Sequence, residues 1–168
     1  METYAPISSS DAKTILVVDD DPSMMLICAK TLRAEGFIVL EAEGSSEALK
    51  ILATHPKPID LLLIDLMLPP PGFQLTSTSN LYPHVHGHEV IQRTLAMKKT
   101  FRVILMLSLS EQDRKAYRIV TDRVPFLQKP FSVETMMQLV KAALVAAPLS
   151  YDNSATEAIA KQDVRWYG

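Results

Sequence analysis

The sequence has a single cysteine, no long apolar run and almost no net charge. Cys28 is the only cysteine in 168 residues, which excludes an internal disulfide and a cysteine-based zinc site. The formal net charge of −2 provides no positive field to attract nucleic acid or an anionic membrane. No apolar run reaches the roughly 18 residues that span a bilayer, and the N-terminus lacks the basic and apolar regions of a secretory signal. We therefore expect a soluble, reduced, cytoplasmic protein.

The composition is that of a folded chain with one domain. Hydrophobic residues make up 48% and charged residues 21%, which excludes a disordered chain. We predict an N-terminal extension over residues 1–13, a domain over 14–146 and a C-terminal tail over 147–168. The tail is shorter than the roughly 40 residues that an independent domain needs, so we expect no C-terminal DNA-binding domain.

Short apolar runs alternate with amphipathic stretches through this domain. Strands are predicted over residues 14–18, 37–42, 59–64, 102–107 and 124–128. Helices are predicted over residues 22–35, 47–54, 89–99, 110–120 and 133–146. This alternation indicates the α/β class: a flavodoxin-like, doubly wound, five-stranded parallel sheet in the order 2-1-3-4-5, with five helices.

One segment interrupts the alternation. Residues 68–86 are rich in Pro, Ser, Thr, Asn and Gly and are predicted to form a long loop, of a kind that is usually functional or disordered. We expect the part of it over residues 70–86 to cover part of the rim of a site at the end of the third strand; the alternative is a passive surface loop, since loop entropy grows only slowly with length. The alternating His84, His86 and His88 would share one face of an extended chain, as in a metal site. We favour the simpler interpretation of polar residues near a helix start.

Polar side chains follow the ends of four predicted strands. Because parallel strands end at one edge of a sheet, we expect these side chains to meet there. Crowded carboxylates favour a hard divalent cation such as Mg²⁺, which prefers oxygen ligands, and a lysine suits a phosphoryl oxygen. Taken singly, each residue also has an ordinary interpretation as a helix cap, a turn or a surface residue. The residues are Asp19 and Asp20 after the first strand, Asp65 after the third, Ser108 after the fourth and Lys129 after the fifth.

Four motifs resemble the receiver domains of two-component response regulators, in particular single-domain, chemotaxis-regulator-like ones. The resemblance covers about residues 14–146, and this combination of motifs is highly specific. The motifs are ILVVDDD at 15–21, LLLIDLMLP at 61–69, VILMLS at 103–108 and FLQKPF at 126–131.

The resemblance implies a role for each residue of the site. It implies that Asp65 is the phosphoacceptor and that Mg²⁺ is the cofactor. The implied metal ligands are Asp20, Asp65 and the Met67 backbone carbonyl, with Asp19 acting through water. The implied switch and phosphate-contacting residues are Ser108, Lys129 and Phe126, with a cis peptide before Pro130.

The sequence also departs from the family pattern. Gly87 matches a glycine that normally follows the phosphoacceptor closely, which leaves residues 70–86 as an insertion. His86 stands where the family usually has Asp, and the link before the fifth strand reads TDRV. These departures bear on partner choice and kinetics, and none removes a residue of the predicted site.

The expected function is that of a phosphoacceptor in a phosphorelay, and not of an enzyme. The expected phosphoryl donor is a histidine kinase or phosphotransfer protein, and the expected output is binding to a downstream protein target. A homodimer is one assembly compatible with the sequence. Two alternatives remain open: a pseudo-receiver adaptor that takes no phosphate, and a metal-dependent phosphotransfer enzyme. Labelling by acetyl phosphate with and without Mg²⁺ separates the three.

Overall fold

The computed structural model describes residues 12–68, 87–98, 100–108, 110 and 124–150. Several expectations fall largely or wholly outside these residues. They are the N-terminal extension, the insertion over 70–86 with its histidines, the helix over 110–120 and the tail beyond residue 150.

The described residues alternate between strands and helices as predicted, and shared boundaries differ from the predicted ones by two residues or fewer. The strands are β1 (Thr14–Val18), β2 (Ile38–Ala42), β3 (Leu61–Asp65), β4 (Thr100–Phe101), β5 (Val103–Leu107), β6 (Phe126–Gln128) and β7 (Leu149–Ser150). The helices are α1 (Pro22–Ala34), α2 (Ser45–Thr54), α3 (Gly87–Lys98) and α4 (Val133–Val145). None of these described helices has the length and apolar character of a membrane span.

Five strands form one sheet in the order β2-β1-β3-β5-β6, and every neighbouring pair is parallel. This confirms the predicted flavodoxin-like fold. The three central strands are buried along their whole length, which is why they read as continuous apolar runs. Pro125 precedes the edge strand β6, where a missing N–H donor is tolerated.

Helices cover both faces of the sheet, and each face has its own hydrophobic core. Residues of α2 and α3 pack on one face, and residues of α1 and α4 pack on the other. Cys28 lies in the second core and is fully buried. Because the helices cover only the two faces, the carboxyl edge of the sheet stays open, and the packed sheet gives a site at this edge a rigid support.

The helix starts follow from local hydrogen bonds. Asp21 caps α1 by accepting bonds from the amides of Ser23 and Met24, and Ser132 caps α4 by accepting a bond from the amide of Thr135. Helix α2 begins at Ser45, two residues earlier than predicted. The carboxylate of Glu47 accepts a bond from the Glu43 amide at 2.9 Å, which satisfies a donor just before the helix.

A second, two-stranded sheet was not predicted. Strand β7 pairs antiparallel with β4, and Phe101 lies opposite Leu149. Nearby, Arg102 Nε donates to the carbonyl of Ala146 at 3.1 Å. The segment predicted as a tail therefore begins with residues that pair with the main fold.

Candidate functional site

The predicted acidic residues meet at the carboxyl edge of the sheet. Asp19 directly follows β1, and Asp65 is the last residue of the neighbouring strand β3. Both are buried, with 1% and 5% of their surface exposed, whereas Asp20 is exposed. One oxygen from each of the three carboxylates lies within 4.8 Å of the others. The adjacency of β1 and β3 is thus what assembles the cluster.

Lys129 brings a positive charge into this acidic cluster. Its backbone amide donates to the Leu107 carbonyl at 2.6 Å, which fixes the chain after β6 beside the end of β5. Its Nζ lies 2.6 Å from Asp19 Oδ2 and 2.8 Å from Asp65 Oδ2. The peptide bond to Pro130 is cis, as the resemblance implied. Lys129 therefore bridges the two buried carboxylates.

The second oxygen of each buried carboxylate is held by the backbone. Asp19 Oδ1 accepts from the amide of Asp21 at 2.9 Å, and Asp65 Oδ1 accepts from the amide of Met67 at 2.8 Å. These bonds fix the side-chain orientations, so that Oδ2 of both residues faces Lys129. Asp20, in contrast, has no hydrogen bond or ion pair with any other residue that the structure describes.

Burial and charge oppose each other at the bridge. Burial raises the pKa of the Asp19 carboxyl, and this effect exceeds the opposing effect of the bonds from Lys129 and the Asp21 amide. Burial alone would lower the pKa of Lys129, but its bonds to Asp19 and Asp65 and their negative charges raise it. The ammonium therefore stays charged, and a further positive charge beside Asp19 would be favourable.

The donor set fits a divalent cation of the Mg²⁺ type. It offers only oxygen ligands, which is what a hard cation prefers. With all three carboxylates ionised and Lys129 charged, these four groups carry two uncompensated negative charges, equal in size to the charge of such an ion. The carboxylate of Asp20 makes no hydrogen bond or ion pair with a described residue and is available as a ligand. The Met67 carbonyl lies two residues beyond Asp65, and its role as a ligand stays a prediction.

The two remaining predicted residues lie outside the bridge. Ser108 is exposed and directly follows β5, next to the chain carrying Lys129. Phe126 begins β6, pairs with Leu105 and packs, half-buried, against the core beneath α2 and α3. Among the described residues, no hydrogen bond joins Ser108 to Asp65, and the switch roles of Ser108 and Phe126 stay predictions.

Comparison with known proteins identifies the family. The sequence-family model of the response regulator receiver domain matches residues 15–141 of this chain. The chain belongs to this family.

Its relatives include regulators of gene expression. The alkaline phosphatase synthesis transcriptional regulatory protein PhoP of Bacillus subtilis is 31% identical over 142 residues, which cover 82% of this chain and 52% of that protein. The phosphate regulon transcriptional regulatory protein PhoB of Pseudomonas aeruginosa is 31% identical over 134 residues, covering 79% and 52%. The chain thus spans about half the length of these curated relatives.

Solved structures show the same fold. The CheY-like response regulator receiver domain protein of Methanospirillum hungatei matches with a TM-score of 0.62 at 19% identity, covering 80% of this chain and 94% of that one. At this identity the likeness concerns the fold alone.

The structure adds one contact that sequence reasoning on this receiver domain missed. The sequence assigns Lys129 only to a phosphoryl oxygen, whereas the side chain pairs directly with Asp19. The strand order places one ammonium beside three carboxylates, but nothing in the sequence specifies which of these groups pair.

Proposed function

We propose that this receiver domain accepts a phosphoryl group on Asp65 from the phosphohistidine of a histidine kinase or phosphotransfer protein. The observation that supports this best is the position of Asp65: its carboxylate ends a central strand beside Asp19, Asp20 and the buried ammonium of Lys129. Receiver domains are signalling domains, and the proposed output is binding to a downstream protein. The proposal places the chain in the cytoplasm, where ATP provides the phosphoryl group that the kinase transfers.

The proposed transfer depends on position and charge more than on covalent help from the protein. A carboxylate oxygen of Asp65 attacks phosphorus, the new O–P bond forms as the P–N bond to the donor histidine breaks, and the imidazole leaves. The Met67 amide fixes the Asp65 side chain for this attack. Lys129 already contacts Asp65 Oδ2 and is placed to donate to a phosphoryl oxygen.

Asp19, Asp20 and Asp65 would hold the divalent cation. When bound, the cation supplies Lewis-acid neutralisation of the phosphoryl charge. The intrinsic loss of phosphate from Asp65 by hydrolysis is proposed as the slow reverse of activation.

Phosphorylation changes the charge at a site where Lys129 already bridges Asp19 and Asp65. The acyl phosphate carries nearly two negative charges, where the Asp65 carboxylate carried one. We propose that Lys129 then shifts toward the new oxygens, that Ser108 donates to one of them and that Phe126 repacks against the core edge. A local charge change would in this way bias a two-state packing element.

The test is acid-labile labelling by acetyl phosphate in Mg²⁺, followed by mass spectrometry of the intact protein. Wild type should gain one phosphoryl group, and Asp65→Asn should gain none. Asp60→Asn is the matched control, because Asp60 lies just before the same strand, where it bonds Lys13 and the Thr14 amide instead. Undiminished labelling of Asp65→Asn would overturn the assignment.

Labelling also separates the alternatives. A wild type that stays unlabelled by both acetyl phosphate and a phosphorylated kinase would point to an adaptor that takes no phosphate. Turnover of a phosphorylated small molecule without any stable label would point to a phosphotransfer enzyme.

A further inference from the structure

The first residue of α3 lies directly against the backbone that carries Asp65. A Cβ atom placed on Gly87 would overlap the Asp65 carbonyl oxygen and lie 2.7 Å from Leu66 Cα and 3.0 Å from the Leu66 carbonyl oxygen. All three atoms belong to the main chain, so none of them can turn aside as a flexible side chain would. Position 87 therefore accepts a side chain only if α3 or the Asp65–Leu66 backbone moves.

The Asp65–Leu66 backbone is itself held on several sides. The Leu66 amide donates to the Met106 carbonyl of β5 at 3.0 Å, and the Leu66 carbonyl accepts from the Gly87 amide at 3.2 Å. One residue further on, the Met67 amide donates to the Asp65 carboxylate. A displacement imposed at Gly87 is therefore transmitted to the same turn that orients the Asp65 side chain.

We propose that Gly87 is a positioning residue for the Asp65 site: the absence of a side chain lets α3 clamp the turn that orients the carboxylate toward Asp19, Asp20 and Lys129. This inference rests on the proposed function, because it assigns Gly87 to the same phosphoacceptor. A misplacement of about 1 Å in a reactive group can cost up to a hundredfold in rate. If Gly87 had a purely structural role, its substitution would instead lower stability and leave the chemistry of the folded molecule unchanged.

The test compares Gly87→Ala with Gly44→Ala. Gly44 is the matched control because a Cβ atom there meets nothing within 4 Å and its φ of −167° suits any residue. Three quantities are measured for each variant: the Mg²⁺ dissociation constant by calorimetry, the rate of labelling by phosphoramidate per folded molecule, and the amide NMR shifts of Leu66 and Met67.

We expect Gly87→Ala to shift both amide resonances, to weaken Mg²⁺ binding and to slow labelling, the last two by about tenfold or more. Gly44→Ala should match wild type in all three measurements. If Gly87→Ala unfolds in part, trimethylamine N-oxide restores the folded fraction by favouring the compact state, and the same measurements are made on the restored protein.

Gly87→Ala that folds and binds Mg²⁺ with wild-type affinity would overturn the proposal, whatever its labelling rate. So would a variant that is less stable but reacts normally per folded molecule. The proposed function fails separately, if the wild type itself takes no label. In that case a weakened Mg²⁺ affinity and shifted Met67 amide in Gly87→Ala would still show that Gly87 positions Asp65.

Discussion

The ammonium of Lys129 lies 2.6 Å from the carboxylate of Asp19, whose side chain is completely buried. The lysine side chain is itself only 13% exposed. The stability of a buried carboxylate of this kind depends on its charged partner, because water cannot reach the carboxylate to solvate it if the partner is removed. Lys129 is therefore a structural counter-ion of the unphosphorylated domain as well as a proposed contact of the phosphoryl group.

Replacement of Lys129 by Met should destabilise the metal-free domain. The substitution keeps an unbranched chain but leaves Asp19 and Asp65 without their shared cation, and breaking a buried pair in this way costs about 3–5 kcal/mol. Urea denaturation in EDTA measures the loss. The matched control is Lys141→Met: Lys141 pairs with Glu35 through side chains that are 62% and 44% exposed, so a change within about 0.5 kcal/mol is expected. Equal effects of the two substitutions would contradict a structural role for the Lys129 bridge.

Added Mg²⁺ should raise the melting temperature of the wild type, and Asp20→Asn should reduce this rise. Asp20 is exposed and offers a carboxylate to the cluster without a described partner, so its replacement removes a ligand but little packing. A ligand at a hundred times its dissociation constant stabilises the folded state by about 2.7 kcal/mol, which a thermal shift assay detects readily.

The neighbouring residue provides the control for this experiment. Asp21 caps α1 and lies outside the carboxylate cluster, and Asn caps helices about as well as Asp. Asp21→Asn should therefore keep most of the Mg²⁺-dependent rise. A rise that is unchanged in Asp20→Asn, or lost equally in both variants, would argue against Asp20 as a ligand.

The sequence was sufficient to predict the sheet because its central strands are buried on both faces. Buried parallel strands such as Leu61–Asp65 need a continuous apolar run, and a polar residue then marks where the strand leaves the core. The convergence of Asp19, Asp65 and Lys129 follows from the order of the strands, since neighbouring parallel strands end at one edge.

Two features could not be predicted, for different physical reasons. The pairing of Leu149 with Phe101 involves strands of two residues, too short for any periodic pattern, and depends on where α4 ends in space. The bridge from Lys129 to Asp19 depends on side-chain rotamers that only the assembled edge determines. The sequence placed these charges at one edge but did not specify which of them pair.

The β4–β7 pairing predicts that Leu149 contributes to stability. Leu149 is half-buried and packs against the core that includes Phe101. Leu149→Ala should lower the free energy of unfolding by about 1–2 kcal/mol, less than a fully buried leucine would lose. Val145→Ala is the control, because Val145 is 86% exposed at the end of α4 and its truncation should change stability by no more than about 0.5 kcal/mol. A Leu149→Ala variant as stable as the control would show that β7 adds nothing to the fold.

Because of Cys28, the free energy of unfolding should decrease as pH rises in the alkaline range. Burial, together with the nearby charge of Asp19, raises the pKa of its thiol from 9.0 to about 11. Below the lower value the thiol is protonated in both states and its full contribution to stability is present. Between the two values the unfolded chain loses the proton while the folded chain keeps it, so the free energy of unfolding decreases as pH rises.

Comparison with Cys28→Ala isolates this effect, because the tyrosines and lysines titrate in both proteins. Urea denaturation under reducing conditions at about pH 8 and about pH 10.5 should show a steeper loss in the wild type, by at most about 1.4 kcal/mol per pH unit. Iodoacetamide should correspondingly alkylate Cys28 far more slowly in the folded protein than in urea, since the thiolate is the reactive form and the side chain is inaccessible. Parallel pH profiles for the two proteins, or rapid alkylation of the native chain, would contradict a buried, protonated thiol on the core-facing side of α1.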